Sequence, residues 1–328
     1  MKAVVMGSYG PPGKLKLTDV AKPVPGDGEA LVRVRATSVN PYDWHHVRGE
    51  PVVARLMAPT LGLRRPKITV PGCDVAGQVE ATGPGVPEFG PGDEVFALLV
   101  EGGFAEYACV PAAALARKPA SLSFEQAGAV PMAGLTALLA VCEVGQAQAG
   151  QRVLVNGASG GVGTFAVQLA CALGAEVAGV CSAGNADLVR SLGATEVIDY
   201  RKADFTSTGQ RYDLIVDVAG SRPARACLRA LARTGTLVIV GGPAGRWLQP
   251  VGHTAAALAR PPLARPRITM ADSTRYGQPA QALARLATLM EAGKVTPVID
   301  RAYPFAEISD AVSYQEAGHA RGKVVVTI

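Results

Sequence analysis

Residues 38–51, with the sequence SVNPYDWHHVRGEP, bring several chemically useful side chains close together. Asp43, His45 and His46 are all potential metal ligands, and a carboxylate beside imidazoles is also a common acid–base arrangement. The tyrosine and the tryptophan between them suit the wall of a substrate pocket equally well. These residues alone leave three interpretations open: a metal site, an acid–base site or a pocket rim.

A second candidate site is the glycine-rich turn within residues 152–175, RVLVNGASGGVGTFAVQLACALGA. A buried-type strand ends at Asn156, and the pattern predicts a helix that begins near Gly161. A dinucleotide needs this arrangement, because a tight turn without side chains lets the backbone approach the pyrophosphate at a helix N-terminus. Ala158 stands in place of the first spaced glycine. The residues predicted to bind the cofactor here are Ser159, Gly160, Gly161, Val162 and Gly163.

The end of the next predicted strand indicates which dinucleotide binds. NAD enzymes usually place a carboxylate there, about 20 residues after the turn, to hold the ribose 2′-hydroxyl. In EVAGVCSAGNADL that place is held by Cys181 and Ser182, and no carboxylate is available to repel a 2′-phosphate. We therefore predict NADPH. The side chains expected around its 2′-phosphate are those of Ser182, Asn185, Tyr200 and Arg201.

The elements that must position these residues form two kinds of region. Short alternating strands, broken by Gly, Pro and Asp, fill the first third of the chain, with a helical pattern only around residues 42–60. From about residue 121 strands alternate with helices, which predicts βαβ units and a parallel sheet covered on both faces. We predict an α/β fold: a Rossmann doubly wound parallel sheet in residues 123–292, and a β-rich domain in residues 1–122 that residues 293–328 rejoin.

Composition limits the classes of function. The 328 residues are 48% hydrophobic and 18% charged, with a formal net charge of +5, and no nucleic-acid-binding motif accompanies this mild basic excess. No apolar run approaches the roughly 18 residues that span a membrane. The opening residues, MKAVVMG, are expected to form a strand and not a signal peptide. Six scattered cysteines without a C-x-x-C pair indicate unpaired thiols and a reducing, cytoplasmic compartment.

Several motifs together resemble one known family. They are SVNPYD, VPGCDVAGQVEATGPGV, GGFAEYACV, GAVPMAGLTAL, VLVNGASGGVGTFAVQLA and HARGKVVV. The chain is similar to medium-chain dehydrogenases/reductases, specifically the zinc-free quinone oxidoreductase and enoyl reductase branch and, within it, the group of the reticulon-interacting mitochondrial reductase. The motifs run nearly from end to end. The resemblance implies a GroES-like catalytic domain, a Rossmann domain and NAD(P)H chemistry.

The resemblance also bears on the metal question. Zinc alcohol dehydrogenases hold their catalytic metal with a Cys, a His, and a second Cys or an Asp. The corresponding positions here hold Asn40, then Cys73 beside Asp74, then Met132. Because a catalytic zinc needs three protein ligands, we expect no metal. We expect Cys73 to be a small buried side chain, with a reactive thiol as the alternative.

Without a metal, the reaction that fits the resemblance is conjugate hydride transfer to an α,β-unsaturated carbonyl compound, with coupled ring closure as a variant. The enolate oxygen then needs hydrogen-bond donors, and the α-carbon needs a proton. Asn40 replaces the first metal ligand and is the first candidate donor. His45 is expected to donate to the substrate oxygen or relay a proton, or else to be a partly exposed rim histidine. Asp43 is expected to orient a neighbour or cap the next turn more than to act as acid or base, and His46 to be structural or exposed.

Further cofactor contacts are implied by the resemblance alone. They are Thr136 near the nicotinamide ribose, Ala219, Gly241 and Gly242 after core strands, and His319, Ala320 and Arg321 in the returning tail. The glycines are equally interpretable as ordinary turn residues. Residues 243–278 match the family least, and we expect substrate choice to depend on them and on residues 44–66.

Three functions remain open at this point. The first is reduction of an activated C=C bond, the second is a quinone reductase that uses the same site, and the third is an NADPH-binding sensor or scaffold with little catalysis. The intact Asn40 and glycine turn favour catalysis. Family members commonly form homodimers by joining sheet edges, and GTLVIVGG is the expected edge strand.

Overall fold

The computed structural model describes residues 1–58, 60–242, 245–247, 266–273 and 276–328. They form two compact units. The β-rich unit contains Met1–Leu135, Thr274–Gly293 and Pro297–Ile328, and the parallel-sheet unit contains Thr136–Ser273 and Lys294–Thr296. Of the poorly matching segment 243–278, only residues 245–247, 266–273 and 276–278 are described, so the expectation that it chooses the substrate lies largely outside the described residues.

The strands and helices are numbered here in chain order. The strands are β1 Lys2–Val5, β2 Lys16–Asp19, β3 Glu29–Val39, β4 Asp74–Thr82, β5 Glu94–Leu98, β6 Tyr107–Pro111, β7 Leu115–Arg117, β8 Arg152–Asn156, β9 Glu176–Cys181, β10 Glu196–Asp199, β11 Tyr212–Asp217, β12 Leu231–Ile239, β13 Arg267–Met270, β14 Ile299–Pro304 and β15 Lys323–Thr327. The helices are α1 Pro41–Arg48, α2 Ala54–Met57, α3 Phe124–Gly128, α4 Pro131–Leu138, α5 Gly161–Ala172, α6 Ala186–Ser191, α7 Ala224–Arg229, α8 Pro279–Glu291 and α9 Ile308–Glu316.

The β-rich unit is built around β3. Its large sheet has the order β14-β15-β3-β4-β5-β7, β6 also pairs with β3, and β1 and β2 form a small antiparallel sheet. The alternating sequence EALVRVRATSV explains why β3 is central: its apolar residues are buried, and only Arg33 and Arg35 are exposed along it. The tail returns to this unit, because β15 pairs antiparallel with β3.

Helices cover the ends of this sheet. α3 begins with the capping box that the sequence indicates: the hydroxyl of Ser123 accepts from the backbone N–H of Gln126, and the Gln126 side chain accepts from the backbone N–H of Ser123. α8 packs on β5 and β7, so the structure groups it with the β-rich unit, whereas the sequence-based boundaries place it in the dinucleotide domain. α1 is followed by its C-cap Gly49, whose φ of 61° is the left-handed conformation that favours glycine.

The parallel-sheet unit has the strand order β10-β9-β8-β11-β12-β13, with every pair parallel. This is the doubly wound order in which two βαβ halves meet between β8 and β11. α5, α6 and α7 follow β8, β9 and β11 respectively. The fold class predicted from the alternation of strands and helices is therefore confirmed. No helix among the described residues is long and apolar enough to cross a membrane.

Two local predictions are corrected. The helix expected in SRPARACLRALAR ends at Arg229, because Leu231 already pairs with Tyr212 as the first residue of β12. The strand GTLVIVGG is not an edge: β12 has β11 on one side and β13 on the other. The edge strands of the sheet, as far as the described residues define them, are β10 and β13, and local sequence patterning did not reveal β13.

Candidate functional site

A buried polar cluster lies in the β-rich unit where β3 ends and α1 begins. Val324 of β15 is opposite Val39 of β3, so the next residues on the two antiparallel strands, Lys323 and Asn40, are neighbours. Nζ of Lys323 also lies 3.3 Å from Oδ2 of Asp74, the first residue of β4. Asn40 is 2% exposed, Lys323 3% and Asp74 0%. An amide, an ammonium and a carboxylate are thus enclosed together, which is rare unless such groups are paired.

Asp74 is the acceptor at the centre of this cluster. Its Oδ1 accepts a 2.7 Å hydrogen bond from the backbone N–H of Met132. Its Oδ2 accepts from the hydroxyl of Ser38 and, at 2.8 Å, from the amide of Asn40. Burying a carboxylate is costly unless it is paired and hydrogen-bonded, and with the ammonium of Lys323 beside it this one is both.

The amide of Asn40 is held from both sides. Its Oδ1 accepts a hydrogen bond from Nζ of Lys323, and its Nδ2 donates to Asp74. The remaining amide proton has only poor partners: Nδ2 lies 3.4 Å from Sγ of Cys73 and 3.5 Å from the carbonyl oxygen of Ser38. Because a thiol sulfur is a weak acceptor, this proton is the one that a stronger acceptor can take.

Asp43 caps α1 through one carboxyl oxygen. Oδ2 accepts a 2.7 Å hydrogen bond from the backbone N–H of Asn40. Oδ1 is buried and has no hydrogen-bond partner within the described part of the chain. Burial raises the pKa of Asp43 to about 7, with the hydrogen bond from Asn40 acting against it and the charge of Asp74 acting with it. Near neutral pH, a substantial fraction of molecules therefore carries a proton on Asp43.

Cys73 is the only thiol at the positions that zinc enzymes use for metal binding. It is fully buried. Burial, assisted by the carboxyls of Asp43 and Asp74, raises the pKa of its thiol well above the ordinary value, so the reactive thiolate is disfavoured. The prediction of a small buried side chain is confirmed. Among the described residues, no group of three or more His, Cys, Asp or Glu side chains is arranged to hold a metal ion.

The two histidines of α1 make their contacts elsewhere. Nδ1 of His45 lies 2.8 Å from the carbonyl oxygen of Glu50, and Nδ1 of His46 lies 2.8 Å from that of Tyr42. Since a carbonyl only accepts, Nδ1 carries the proton in both rings. Nε2 of His46 is 2.9 Å from Oγ1 of Thr60, so His46 is buried and structural. Burial lowers the pKa of both rings. Neutral His45 therefore presents an acceptor at Nε2, and its proposed donor role stays a prediction.

The glycine turn of the parallel-sheet unit lies between β8 and α5, as predicted. Gly160 is the N-cap of α5, and Gly157 has a φ of 90°. A Cβ at Gly163 would lie 2.0 Å from the carbonyl oxygen of Gly157, so packing of helix on strand requires glycine there. A Cβ at Gly160 would meet nothing closer than 3.5 Å. The open space at Gly160, beside the unpaired N–H groups of the first helical turn, fits a pyrophosphate.

Two more loops lie at the same edge of the parallel sheet, after β11 and β12. The backbone N–H of Ala219 donates to the carbonyl oxygen of Asn156 at 3.2 Å. A Cβ added to Gly220 would lie 2.4 Å from Cα of Gly242, and one added to Gly241 would lie 2.3 Å from a carbonyl oxygen of the loop after β11. The structure thus brings these predicted cofactor residues together with the glycine turn, while their roles remain predictions.

Asp217, which the sequence analysis did not single out, ties these loops together. It is the last residue of β11 and is buried. Its Oδ1 accepts from Nδ2 of Asn156 at 2.7 Å and from the backbone N–H of Gly220 at 3.0 Å, and the amide of Asn156 also donates to Ser221 at 3.1 Å. The sequence does contain a signal for this contact, because Asn156 and Asp217 are polar residues at the carboxyl ends of two neighbouring strands, β8 and β11.

The loop after β9 contacts the glycine turn through Asn185. Its Nδ2 donates to Oγ of Ser159 at 2.9 Å. Its Oδ1 is buried and has no partner among the residues that the structure describes. A buried amide with an unused acceptor is costly, so this position fits a bound hydroxyl, or a phosphate if the amide is reversed. Ser182 stands at the start of this loop and is partly exposed.

The loop after β10 adds a carboxylate that the sequence analysis did not weigh. Asp199, the last residue of β10, pairs with Cys181 of β9. Its Oδ1 accepts from the backbone N–H of Arg201 at 3.1 Å, which closes the turn. Tyr200 is 49% exposed, and the guanidinium of Arg201 lies 5.8 Å from its ring centroid. Asp199 therefore belongs to a strand end beside the expected 2′-phosphate position.

The other residues predicted to contact the cofactor are Thr136 and three residues of the returning tail. The hydroxyl of Thr136 donates to Oγ of Ser273 at 2.7 Å, and both residues are buried. His319 and Arg321 are exposed in the loop between α9 and β15, while Ala320 packs against the apolar core of the β-rich unit. Ser273 was not among the residues predicted from the sequence. The cofactor roles of the other four residues stay predictions.

Comparison with known families matches both parts of the chain. The family described as "Alcohol dehydrogenase GroES-like domain" matches residues 26–120, and the one described as "Zinc-binding dehydrogenase" matches residues 192–326. The second description names the wider family; at the positions that resemble zinc ligands of that family, this chain has Asn40, Cys73 and Met132.

Individual relatives cover almost the whole chain. The chloroplast envelope quinone oxidoreductase homolog of Arabidopsis thaliana is 33% identical over 99% of this chain and 98% of its own length. The NADPH-dependent alkenal/one oxidoreductase of the same plant is 32% identical over 99% of this chain and 79% of its own length. The structure of the quinone oxidoreductase from Coxiella burnetii matches with a TM-score of 0.85 at 28% identity and covers 100% of this chain and 99% of that one.

Proposed function

The chain belongs to the zinc-free quinone oxidoreductase and enoyl reductase branch of the medium-chain dehydrogenases/reductases, and from this premise we propose that it uses NADPH to reduce the activated C=C bond of an α,β-unsaturated carbonyl compound. It is an NAD(P)H-dependent oxidoreductase. The observation that carries the choice of substrate is the buried amide of Asn40, whose second N–H has two poor partners, the sulfur of Cys73 at 3.4 Å and the carbonyl oxygen of Ser38 at 3.5 Å.

The residues of the glycine turn and of the neighbouring loops would hold the cofactor. Backbone N–H groups at the start of α5 suit the pyrophosphate, and Gly160 leaves room for it. When bound, the reduced nicotinamide cofactor supplies the hydride. The other requirements of the reaction fall on the side chains of the protein.

The first requirement is a donor for the substrate oxygen, which becomes an enolate oxygen as the β-carbon is reduced. The amide of Asn40 is already oriented by Lys323 and Asp74, so it needs little reorganisation to donate its second N–H to a negative oxygen in place of the Cys73 contact. The second requirement is a proton for the α-carbon. Asp43 is the candidate acid of the described cluster, because its pKa of about 7 leaves a proton on it near neutral pH.

This function is tested by following NADPH oxidation with two panels of acceptors, one of enones and enals and one of quinones. We expect the best enone to exceed the best quinone in kcat/KM by at least about tenfold, roughly 1.4 kcal/mol of transition-state stabilisation. Mass spectrometry of the product must show the saturated carbonyl compound.

Two other outcomes identify the alternative functions. A clear preference for quinones would make the chain a quinone reductase, whose carbonyl oxygens also gain charge on reduction and which the name of the plant envelope relative favours. Tight NADPH binding without turnover of either panel would leave a cofactor-binding sensor or scaffold. Either result would contradict the proposed reduction of a C=C bond.

The preference for NADPH is proposed from the end of β9. Cys181 and Ser182 place no carboxylate there, and Asn185 and Tyr200 in the adjoining loops offer polar groups. The name of the alkenal/one reductase relative, which specifies NADPH, supports the same choice. Two observations point the other way: Asp199 at the end of β10, although its Oδ1 is engaged by the turn at Arg201, and the buried Oδ1 of Asn185, which fits a hydroxyl in the present orientation of its amide.

Replacing Ser182 by aspartate should lower the ratio of kcat/KM for NADPH to that for NADH by at least about tenfold, because a carboxylate at this position repels the 2′-phosphate. The matched control is Ser191→Asp, which adds the same charge to an exposed serine in α6. Equal ratios in the two variants would place the 2′-phosphate away from Ser182.

We also propose a homodimer and a cytoplasmic location. β13 has one paired side in the described structure, and Met270 is 39% exposed on it, so an edge-to-edge joining of two sheets would use β13 in place of β12. All six cysteines are free thiols, which favours a reducing compartment. The names of the two plant relatives described above refer to the chloroplast or its envelope. These names do not support a cytoplasmic location, so that proposal depends on the free thiols.

A further inference from the structure

Lys323 is the charged residue of the buried cluster that no motif assigned to the reaction. It is the first residue of β15, and its side chain is 3% exposed. The register of β15 against β3 places it beside Asn40, although the two residues are 283 positions apart in sequence. Its ammonium donates to Oδ1 of Asn40 and lies 3.3 Å from Oδ2 of Asp74.

These two contacts determine which way the amide of Asn40 points. The oxygen and nitrogen of an asparagine side chain are nearly alike in shape, so only the donors and acceptors around them choose the orientation. Here an ammonium, which can only donate, faces Oδ1, and a carboxylate faces Nδ2 at 2.8 Å. Both are charge-assisted hydrogen bonds, which are the stronger kind. The second N–H of Asn40 is consequently aimed at Cys73.

Two roles are conceivable for such a lysine. It neutralises the charge of Asp74, which would otherwise be buried without a cation, or it orients the amide of Asn40. The contacts favour the second role, because Asp74 already accepts from Ser38, Asn40 and the backbone of Met132. Oδ1 of Asn40, in contrast, accepts a charge-assisted hydrogen bond from the ammonium of Lys323.

We propose that Lys323 is a positioning residue for the reduction and acts through Asn40: its ammonium holds the amide so that an N–H, and not the oxygen, faces the substrate. The proposal rests on the proposed function, since it concerns the donor to the developing enolate oxygen. In this view Lys323 supplies the positive charge that a metal supplies in zinc enzymes, but it acts indirectly, through the amide of Asn40. Asn40 makes the contact with the substrate, and Lys323 sets its direction.

The test compares three variants with the wild type: Lys323→Met, Asp74→Asn, and the double variant Lys323→Met/Asp74→Asn. Methionine retains most of the aliphatic stem and removes the ammonium. Because Lys323→Met alone leaves Asp74 buried without its cation, this variant is expected to lose stability. The double variant leaves no buried charge unpaired. It also places a donor at position 74, so the amide of Asn40 is expected to reverse.

We expect kcat for the best enone to fall by about tenfold or more on adding Lys323→Met, in the wild-type background and in the Asp74→Asn background alike. The dissociation constant of NADPH, measured by fluorescence, should change by less than about twofold, since Lys323 is not proposed to bind the cofactor. A split between kcat and NADPH affinity in both backgrounds is the signature of orientation, which charge neutralisation alone does not produce.

Each other outcome counts against the proposal. If the double variant recovers the kcat of Asp74→Asn, Lys323 serves only to neutralise Asp74. If the double variant fails to fold while Asp74→Asn folds, Lys323 serves stability. If the wild type reduces no acceptor at all, the proposed function itself has failed, and this is recognised from the wild-type control before any variant is compared.

Discussion

Replacing Asn40 by alanine lowers kcat for the best enone by about 100-fold, the effect expected for loss of one preorganised donor to a developing oxyanion. The affinity for NADPH stays within about threefold of the wild type, because the glycine turn and its neighbouring loops belong to the other unit. Steady-state kinetics on the enone and fluorescence titration with NADPH measure the two quantities separately. Asp74 keeps three other partners in the variant, namely Ser38, Met132 and Lys323, so the fold should survive.

The matched control for this variant is Thr37→Val. Thr37 is fully buried two residues before β3 ends, and its hydroxyl donates to the backbone carbonyl of Asp74 at 2.5 Å. Valine has nearly the same shape, so the variant should lose about 1–2 kcal/mol of unfolding free energy with little change in kcat. If Asn40→Ala behaves like Thr37→Val, with lower stability and an unchanged kcat, Asn40 is a structural residue and the proposed donor must be sought elsewhere.

Replacing Gly163 by alanine should raise the dissociation constant of NADPH by at least about 30-fold, roughly 2 kcal/mol, and lower the melting temperature by several degrees. The added Cβ would lie 2.0 Å from the carbonyl oxygen of Gly157 and 2.9 Å from two backbone atoms of Ala158. Backbone atoms cannot turn aside as a flexible side chain can, so the N-terminus of α5 must move away from β8. The N–H groups that bind the pyrophosphate move with it.

The variant Gly160→Ala separates the effect on NADPH binding from the effect on folding stability. A Cβ at Gly160 would meet no protein atom closer than 3.5 Å, and its φ of −84° is ordinary for alanine. This variant should keep the melting temperature of the wild type and still bind NADPH more weakly, because the methyl group occupies the approach of the pyrophosphate. Normal NADPH affinity in both variants would mean that the cofactor binds elsewhere.

Many local features of both units could be predicted from the sequence. The glycine turn between a strand and a helix, the alternation of strands and helices and the capping box at Ser123 and Gln126 each depend on residues within a few positions of one another. Predictions from local patterns were wrong where the pairing of distant strands determines the structure. The start of β12 was hidden inside a helical pattern, and β13, not β12, occupies the edge of the described sheet.

By itself, the sequence determined the family, the two kinds of fold and the replacement of the metal ligands, since these depend on residue types at fixed places along the chain. It identified Asn40, whereas the rings of the two histidines beside it hydrogen-bond backbone carbonyl groups of α1 and of the residues that follow it. Only the tertiary structure decided that Lys323 and Asp74 complete the cluster. The physical reason is that a buried ion pair and the orientation of an amide depend on the register of three strands, which bring together residues up to 283 positions apart.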